Sequence, residues 1–300
     1  MIDQLRKYFL CLLLIFIMIP SVQAQESDPD LADILEKTLE SYQDLENIQF
    51  QMNLSFTKEG TENLEESFEA QLPLELQVQP DFALKAKLKI SPIKDLGIEE
   101  NAFAEAFFIQ NKFGLRYTYL DPEVNADPWI ESYIGQDIEF TDFVQMLEEE
   151  WFPYIAQQGQ RMVALARDPE LIKNFTMSQT DQDYQISWKL NYTPDQWWAI
   201  YQALYKEATS QGMDPEDLLL SKDEVEDYAR LINEANIQIH FLVDKETHSF
   251  NSITIHGQNT LENTSDQEEL SVSFDQIKHN QDLNFEIPKD FKNQTPSYEE

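Results

Sequence analysis

Cysteine is nearly absent from this chain of 300 residues. The one cysteine, Cys11, sits inside the N-terminal apolar run, so nothing beyond it carries a thiol. Beyond that run, disulfides, a thiol nucleophile and cysteine-ligated zinc are excluded together. A domain of this size can bury enough core to stand without disulfides. Glycine is scarce as well, with seven residues, and neither the dinucleotide-binding fingerprint nor the P-loop pattern occurs. There is no Gly-x-Ser-x-Gly elbow and no Asp-x-Asp-x-Asp-Gly calcium loop. Positive charge is short: 21 Lys and Arg stand against 56 Asp and Glu, a formal net charge of −35. Such a surface repels nucleic acid and anionic headgroups, so nucleic acid is not an expected partner and membrane contact is expected to be only transient. Aromatics at 12% and apolar residues at 42% exclude a disordered acidic tail.

Long apolar runs are missing too, except at the N-terminus. Arg6 and Lys7 precede the run Phe9 to Ile19, which stops at Pro20 and is followed by Val22-Gln23-Ala24. This is the layout of a cleavable signal peptide over residues 1–24, with the cut between Ala24 and Gln25. The run falls well short of the ~20 residues a spanning helix needs. The chain is therefore expected to be secreted, or extracytoplasmic in a cell envelope; an uncleaved N-terminal anchor is the other reading. Cys11 lies before most of the apolar run rather than after it, so it does not match a lipobox. Release or weak holding is expected rather than acyl anchoring.

The rest alternates between two periods. Pro29 opens a helix after Asp28, with Leu31, Ile34, Leu35, Leu39, Tyr42 and Leu45 on one face. Period two then takes over. Phe50, Met52, Leu54 and Phe56 alternate with polar residues. Leu72, Leu74, Leu76 and Val78 follow, with Pro73 suggesting an edge strand. Phe82, Leu84, Ala86, Leu88 and Ile90 form a third alternation whose other face is Lys85, Lys87 and Lys89. Phe107–Ile109 and Phe113–Tyr119 read as a pair around Gln110-Asn111-Lys112. Phe140 to Ile155 reads as a helix, and Leu165–Phe175 as less regular helix. Tyr184, Ile186, Trp188, Leu190 and Tyr192 return to a strand. Helices are expected after Thr193-Pro194-Asp195-Gln196, which has the spacing of a capping box, up to Gly212, and after Ser221-Lys222-Asp223-Glu224, which caps another. Strands close the chain at Ile237–Val243, Phe250–Ile255, Leu270–Phe274 and Leu283–Ile287, and the tail from Asn293 is expected to fray. The fold class expected is α+β: a curved antiparallel sheet, or half-barrel, with helices covering the concave face. Residues 25–292 are expected as one such domain, with a helical insertion at about 140–232.

This order of elements resembles the LolA-type and LppX-type lipoprotein-carrier superfamily, and is most similar to the Gram-positive envelope proteins of that fold. The likeness is carried by Ala32–Leu39 running into Ile48–Phe56, by Ile239–Ile255 around Asp244-Lys245-Glu246-Thr247, and by Leu283–Pro288. It implies a half-barrel holding an acyl chain or another hydrophobic molecule, and it supplies no catalytic residues.

The expected function is accordingly non-enzymatic: a hydrophobic small molecule or lipid held in the concavity, with no cofactor. Cavity candidates are Phe50, Met52, Leu54, Phe56, Leu84, Leu88, Tyr117, Trp188, Tyr192, Ile239 and Phe241. The dense aromatics Trp188, Tyr192, Trp197, Trp198 and Tyr201 read either as core or as pocket lining. His240 and His256 lack the spacing of a metal motif. The acidic groups Glu99-Glu100, Glu148-Glu149-Glu150 and Asp266, Glu268, Glu269 are the number of pairs that so acidic a chain produces by chance, although a glycosidase would need two such carboxylates. A filled-core interaction module, with an envelope protein or wall component as partner, is the alternative function. An extracellular hydrolase is the third.

Overall fold

In a computed structural model of the chain, the described residues are 29–42, 45–59, 66–77, 82–92, 101–110, 112–118, 130–132, 166–210, 220–260, 267–289 and 291. They form α1 (Pro29–Glu40), β1 (Asn47–Glu59), β2 (Glu66–Gln77), β3 (Ala83–Ile90), β4 (Ala102–Ile109), β5 (Lys112–Thr118), β6 (Ile130–Ser132), β7 (Phe175–Gln179), β8 (Asp183–Lys189), α2 (Pro194–Ser210), α3 (Lys222–Glu234), β9 (Gln238–Asp244), β10 (Phe250–Thr260) and β11 (Gln267–His279). The class is α+β. The strands hydrogen-bond in the order β6-β5-β4-β3-β2-β1-β11-β10-β9-β8-β7, an open sheet with β6 and β7 at its ends. The chain divides into two compact units. The first comprises Met1–Gln43, Leu147–Ser249 and Ile255–Glu262; the second comprises Asp44–Met146, Phe250–Thr254 and Asn263–Glu300.

In the first unit the helices form because their stripes can be buried. Leu31, Ala32, Ile34 and Leu35 of α1 are buried, while Asp33, Glu36, Lys37 and Glu40 stay in water. Thr38, fully buried, satisfies its hydroxyl by donating to the Ile34 carbonyl at 2.8 Å. At the start of α2, the Thr193 amide donates to Gln196 Oε1 and the Gln196 amide to Thr193 Oγ1. Ser221 and Glu224 make the same reciprocal capping box on α3. Val225, Ala229 and Ile232 of α3 then face inward, as the period of 3.6 predicts.

The second unit is built on long antiparallel pairings: β1 with β11 and with β2, then β2 with β3, β3 with β4, and β4 with β5. Side chains on alternate residues take opposite faces. On the mostly polar face, the lysine stripe of β3 is compensated locally. Lys87 pairs with Glu105 at 3.2 Å, and Arg116 pairs with the same carboxylate. Lys89 lies 6.0 Å from the Phe103 ring centre. Lys85 donates to the Asn284 carbonyl and lies 5.3 Å from the centre of the Phe285 ring. One corner of that face is apolar: Ala83, Phe107 and Ile109 form a small core packed against Phe285, Ile287 and Phe291.

Three expectations are corrected. Pro73 is not on an edge strand, because β2 is internal. The ladder to β3 instead pairs Gln71 with Lys89 and resumes in the same register at Leu74 with Ala86. The pairs in between are missing where proline has no N–H to give. Leu165–Phe175, expected as less regular helix restarting near Asp168-Pro169, keeps little of it. Asp168 Oδ1 accepts from the amides of Glu170 and Leu171, a single 3-10 turn spans Ile172–Asn174, and the chain then extends into β7. Strand β7 gave no alternating signal because only Phe175 in it is buried. Leu283–Ile287 is not a strand; it is irregular chain whose Phe285 and Ile287 cover the Phe107 corner. The helix expected at Phe140–Ile155, the stop at Gly212, the signal segment and the tail from Asn293 lie outside the described residues.

Glycine 114 is required by that corner. A Cβ there would sit 2.2 Å from Phe107 Cε1, and Phe107 is buried with Phe291 edge-on to it at 4.9 Å. Gly114→Ala should therefore cost about 2–3 kcal/mol, as overpacking in a tight core does, and lower the thermal midpoint by several degrees in calorimetry. Gly257→Ala, whose Cβ would meet nothing closer than the Ala235 carbonyl at 3.4 Å, should change stability by less than half of that.

Candidate functional site

The alternation in the second unit gathers its apolar residues onto one face. Across β1 and β2 the register pairs Phe56 with Phe68, Leu54 with Ala70, Met52 with Leu72, Phe50 with Leu74 and Ile48 with Leu76. Toward β11, Phe56 meets Leu270, Leu54 meets Val272 and Met52 meets Phe274. The face continues from β2 into β3 through Leu74 with Ala86 and Leu76 with Leu84. It continues into β4 through Leu84 with Phe108 and Leu88 with Ala104.

Burial along this face is graded. Phe56 is 1% exposed, and Phe68, Leu270 and Val272 are buried around it. Phe50, Met52, Leu54, Leu72, Leu74, Leu76, Leu84 and Leu88 are only half-buried. The rings of Phe50 and Phe274 touch edge-on at 5.7 Å, and those of Phe56 and Phe68 are 6.0 Å apart. The start of the face is pinned by side chains at the β1–β11 junction. Asn280 Oδ1 accepts from the Glu46 amide at 2.8 Å, and Asn47 Oδ1 accepts from the Gln281 amide at 2.9 Å. A bulge follows: one extra β11 residue is accommodated opposite Phe50, with Gln276 at φ 55°.

Six candidates from the sequence, Phe50, Met52, Leu54, Phe56, Leu84 and Leu88, thus share one face. Tyr117 takes the register position opposite Ala104 on that face; its side chain lies outside the described residues. Leu72, Leu74, Leu76, Val272 and Phe274 belong to the same face and were not among the candidates. The period-two pattern of β2 was visible and pointed to them, but only the pairing with β1 shows that they line the same surface.

The other four candidates lie in the first unit, in a packed core. Trp188 is 2% exposed and stacks on Phe175 at 5.1 Å with the rings 7° from parallel. Its Nε1 donates to the Tyr192 hydroxyl at 2.7 Å. Tyr192 meets Trp197 edge-on at 5.4 Å, and its carbonyl accepts from Asn233 Nδ2 at 2.8 Å. Trp197 Nε1 donates in turn to Asn233 Oδ1 at 3.4 Å. Ile239 and Phe241 are buried on β9. The polar tips of these aromatics are answered inside the protein, as a dry core requires.

Among the described residues no three His, Cys, Asp or Glu side chains converge as a metal site. His240 is exposed on β9, and His256 is half-buried on β10. His279, half-buried opposite Ile48, has its pKa lowered by burial. The acidic groups at 99–100 and 148–150 lie outside the described residues. Glu268 and Glu269 alternate across the strand, the first 1% exposed and the second in water, so they do not face each other as an acid–base pair. No helix of the described residues is long and apolar enough to cross a membrane.

No protein-family model matches the chain, and no curated protein matches it. Among solved structures it is similar to a LolA superfamily protein from Nitrosomonas europaea, at 9% identity and a TM-score of 0.20, covering 84% of this chain and 94% of that one. It is also similar to a DUF1329 family protein from Desulfovibrio piger, at 7% identity and a TM-score of 0.20, covering 86% of this chain and 96% of that one. At this TM-score neither likeness carries an argument about the site.

The first-unit core has a titration signature. Burial pushes the Tyr192 hydroxyl up to about 12 from 10.0, against the lowering effect of its hydrogen bond from Trp188. A raised folded-state pKa contributes stability that is complete below the unfolded value and is lost as pH rises through the folded one. Stability should therefore fall by about 2–3 kcal/mol between pH 10 and 12 on account of this group. Tyr192→Phe should flatten that part of the curve in urea titrations.

Proposed function

We propose that this chain is an extracytoplasmic, non-enzymatic binding protein that holds a lipid or another hydrophobic molecule against the apolar face of its second unit. The observation that carries this reading is the graded face itself. Phe56, Leu270 and Val272 are buried, while Phe50, Met52, Leu54, Leu84 and Leu88 are left half-buried on the same face. Fully burying one such side chain is worth about 1.5–3 kcal/mol. Leaving five of them partly exposed forgoes on the order of 2 kcal/mol, which an apolar ligand laid on the strands would recover. An acyl chain contributes about 0.8 kcal/mol for each buried methylene, and that is enough to overcome the entropy cost of association.

The resemblance of residues 32–39 and 239–255 to the LolA-type and LppX-type superfamily, and to the Gram-positive envelope proteins of that fold, supports the same reading. So does the N-terminal segment, read as a signal peptide cleaved after Ala24. In this account Trp188, Tyr192, Ile239 and Phe241 hold the first unit together rather than meet the ligand. No residue is assigned a catalytic role.

Protein purified from its own host without detergent should show a bound hydrophobic mass in native mass spectrometry, and its N-terminus should begin at Gln25. Leu54→Asp combined with Leu84→Asp should abolish the bound mass while the circular dichroism spectrum is kept. A chain that carries no hydrophobic mass, and takes up none from neutral detergent-solubilised lipid, would instead be an interaction module acting through its acidic surface.

A further inference from the structure

The apolar face ends in an ion pair. One register step beyond Phe56 and Leu270, on the same side of the sheet, Lys58 stands opposite Glu268. That step is two residues, about 7 Å along the strand. Glu268 is 1% exposed, yet among the described residues no hydrogen-bond donor reaches either of its carboxylate oxygens. Among the described residues its charged partner is the Lys58 ammonium, 3.5 Å from Oε1, which is too long for a good charge-assisted hydrogen bond.

A buried carboxylate without donors is costly, and an apolar residue at this position would be more stable. Position 268 continues the series Leu270 and Val272, where a third apolar residue would fit the pattern. The polar group therefore works against stability at the one place where it terminates the apolar track.

We propose that Lys58 and Glu268 form the head-group subsite of the ligand held on this face, and that the head is neutral and hydroxylic, as in an acylglycerol or a glycolipid. This rests on the reading of the face as a hydrophobic-ligand site. The two residues set complementary demands. Glu268 lacks a donor among the described residues, and Lys58, which in register also stands opposite Glu66 of β2, brings its ammonium N–H groups beside it. A hydroxyl meets both, because its O–H donates to the carboxylate while its oxygen accepts from the ammonium. A carboxylate or phosphate head would serve Lys58 and repel Glu268, and an ammonium head would do the reverse. The chain's net charge of −35 weighs further against an anionic head. Lys58, with its side chain 31% exposed against 1% for Glu268, is the member a head group meets first.

The test is displacement of the neutral dye N-phenyl-1-naphthylamine from the mature protein by three probes of equal chain length: monopalmitoylglycerol, palmitate and hexadecylamine. The glycerol ester should bind about tenfold or more tighter than the other two, the effect of one well-made hydrogen bond to a charged group. Glu268→Leu should keep dye binding, raise the thermal midpoint and abolish the preference. Glu268→Gln, which retains an acceptor, should keep part of it. Equal affinities in the wild type, or a preference that survives Glu268→Leu, would overturn the head-group assignment while leaving the apolar site intact. Failure of the dye and all three probes to bind would remove both.

Discussion

A strand shows alternate residues to opposite faces, and the second unit depends on that rule more than on any single contact. Its long strands keep an apolar residue at nearly every second position, so correct pairing produces a continuous apolar surface and a wet one. A slip of one residue would turn Phe50, Met52 and Leu54 to water. The junction residues Asn47 and Asn280 fix the pairing of β1 with β11 at one end. The bulge at Gln276 absorbs the mismatch next to it. Everything proposed for the face follows from this register.

The two units solve the same problem differently. In the first, the apolar sides of β8 and β9 are closed. Trp188, Tyr192, Trp197 and Asn233 interlock through stacking and hydrogen bonds, and Ile239, Phe241 and Val243 are buried. In the second, the apolar face is buried around Phe56 and only half-buried toward Leu84 and Leu88. Among the described residues, the aromatic tips of the first unit are answered, while the second keeps a buried carboxylate without a donor at Glu268. Sites that bind are commonly places where a protein leaves such terms open.

Much of this was legible in the sequence. The stripe of α1, the capping boxes at Thr193 and Ser221, and the alternations of β1, β3, β8 and β9 were all read from spacing, because each element buries one face and solvates the other. What escaped has physical causes. Strand β7 has one buried residue in five and so no period. Pro73 reads as an edge residue until the sheet shows an internal ladder that skips it. Leu283–Ile287 alternates like a strand, but its apolar residues cover the Phe107 corner without pairing. Trp188 and Tyr192 look the same in sequence whether they line a pocket or fill a core. Glu268, inside an acidic run, looks like a solvated charge, and only the register with Lys58 places it at the end of the apolar track.

The central claim is that the face bearing Phe50, Met52, Leu54, Leu84 and Leu88 is where a hydrophobic molecule lies. Photo-crosslinking with a diazirine-bearing palmitoylglycerol, followed by peptide mapping, tests it most directly. The account predicts label on the even-numbered residues of β1 and β3 and on Leu72 and Leu74, with the odd-numbered residues of β1 spared. Label confined to residues 175–243, or spread without regard to the two-residue period, would contradict it.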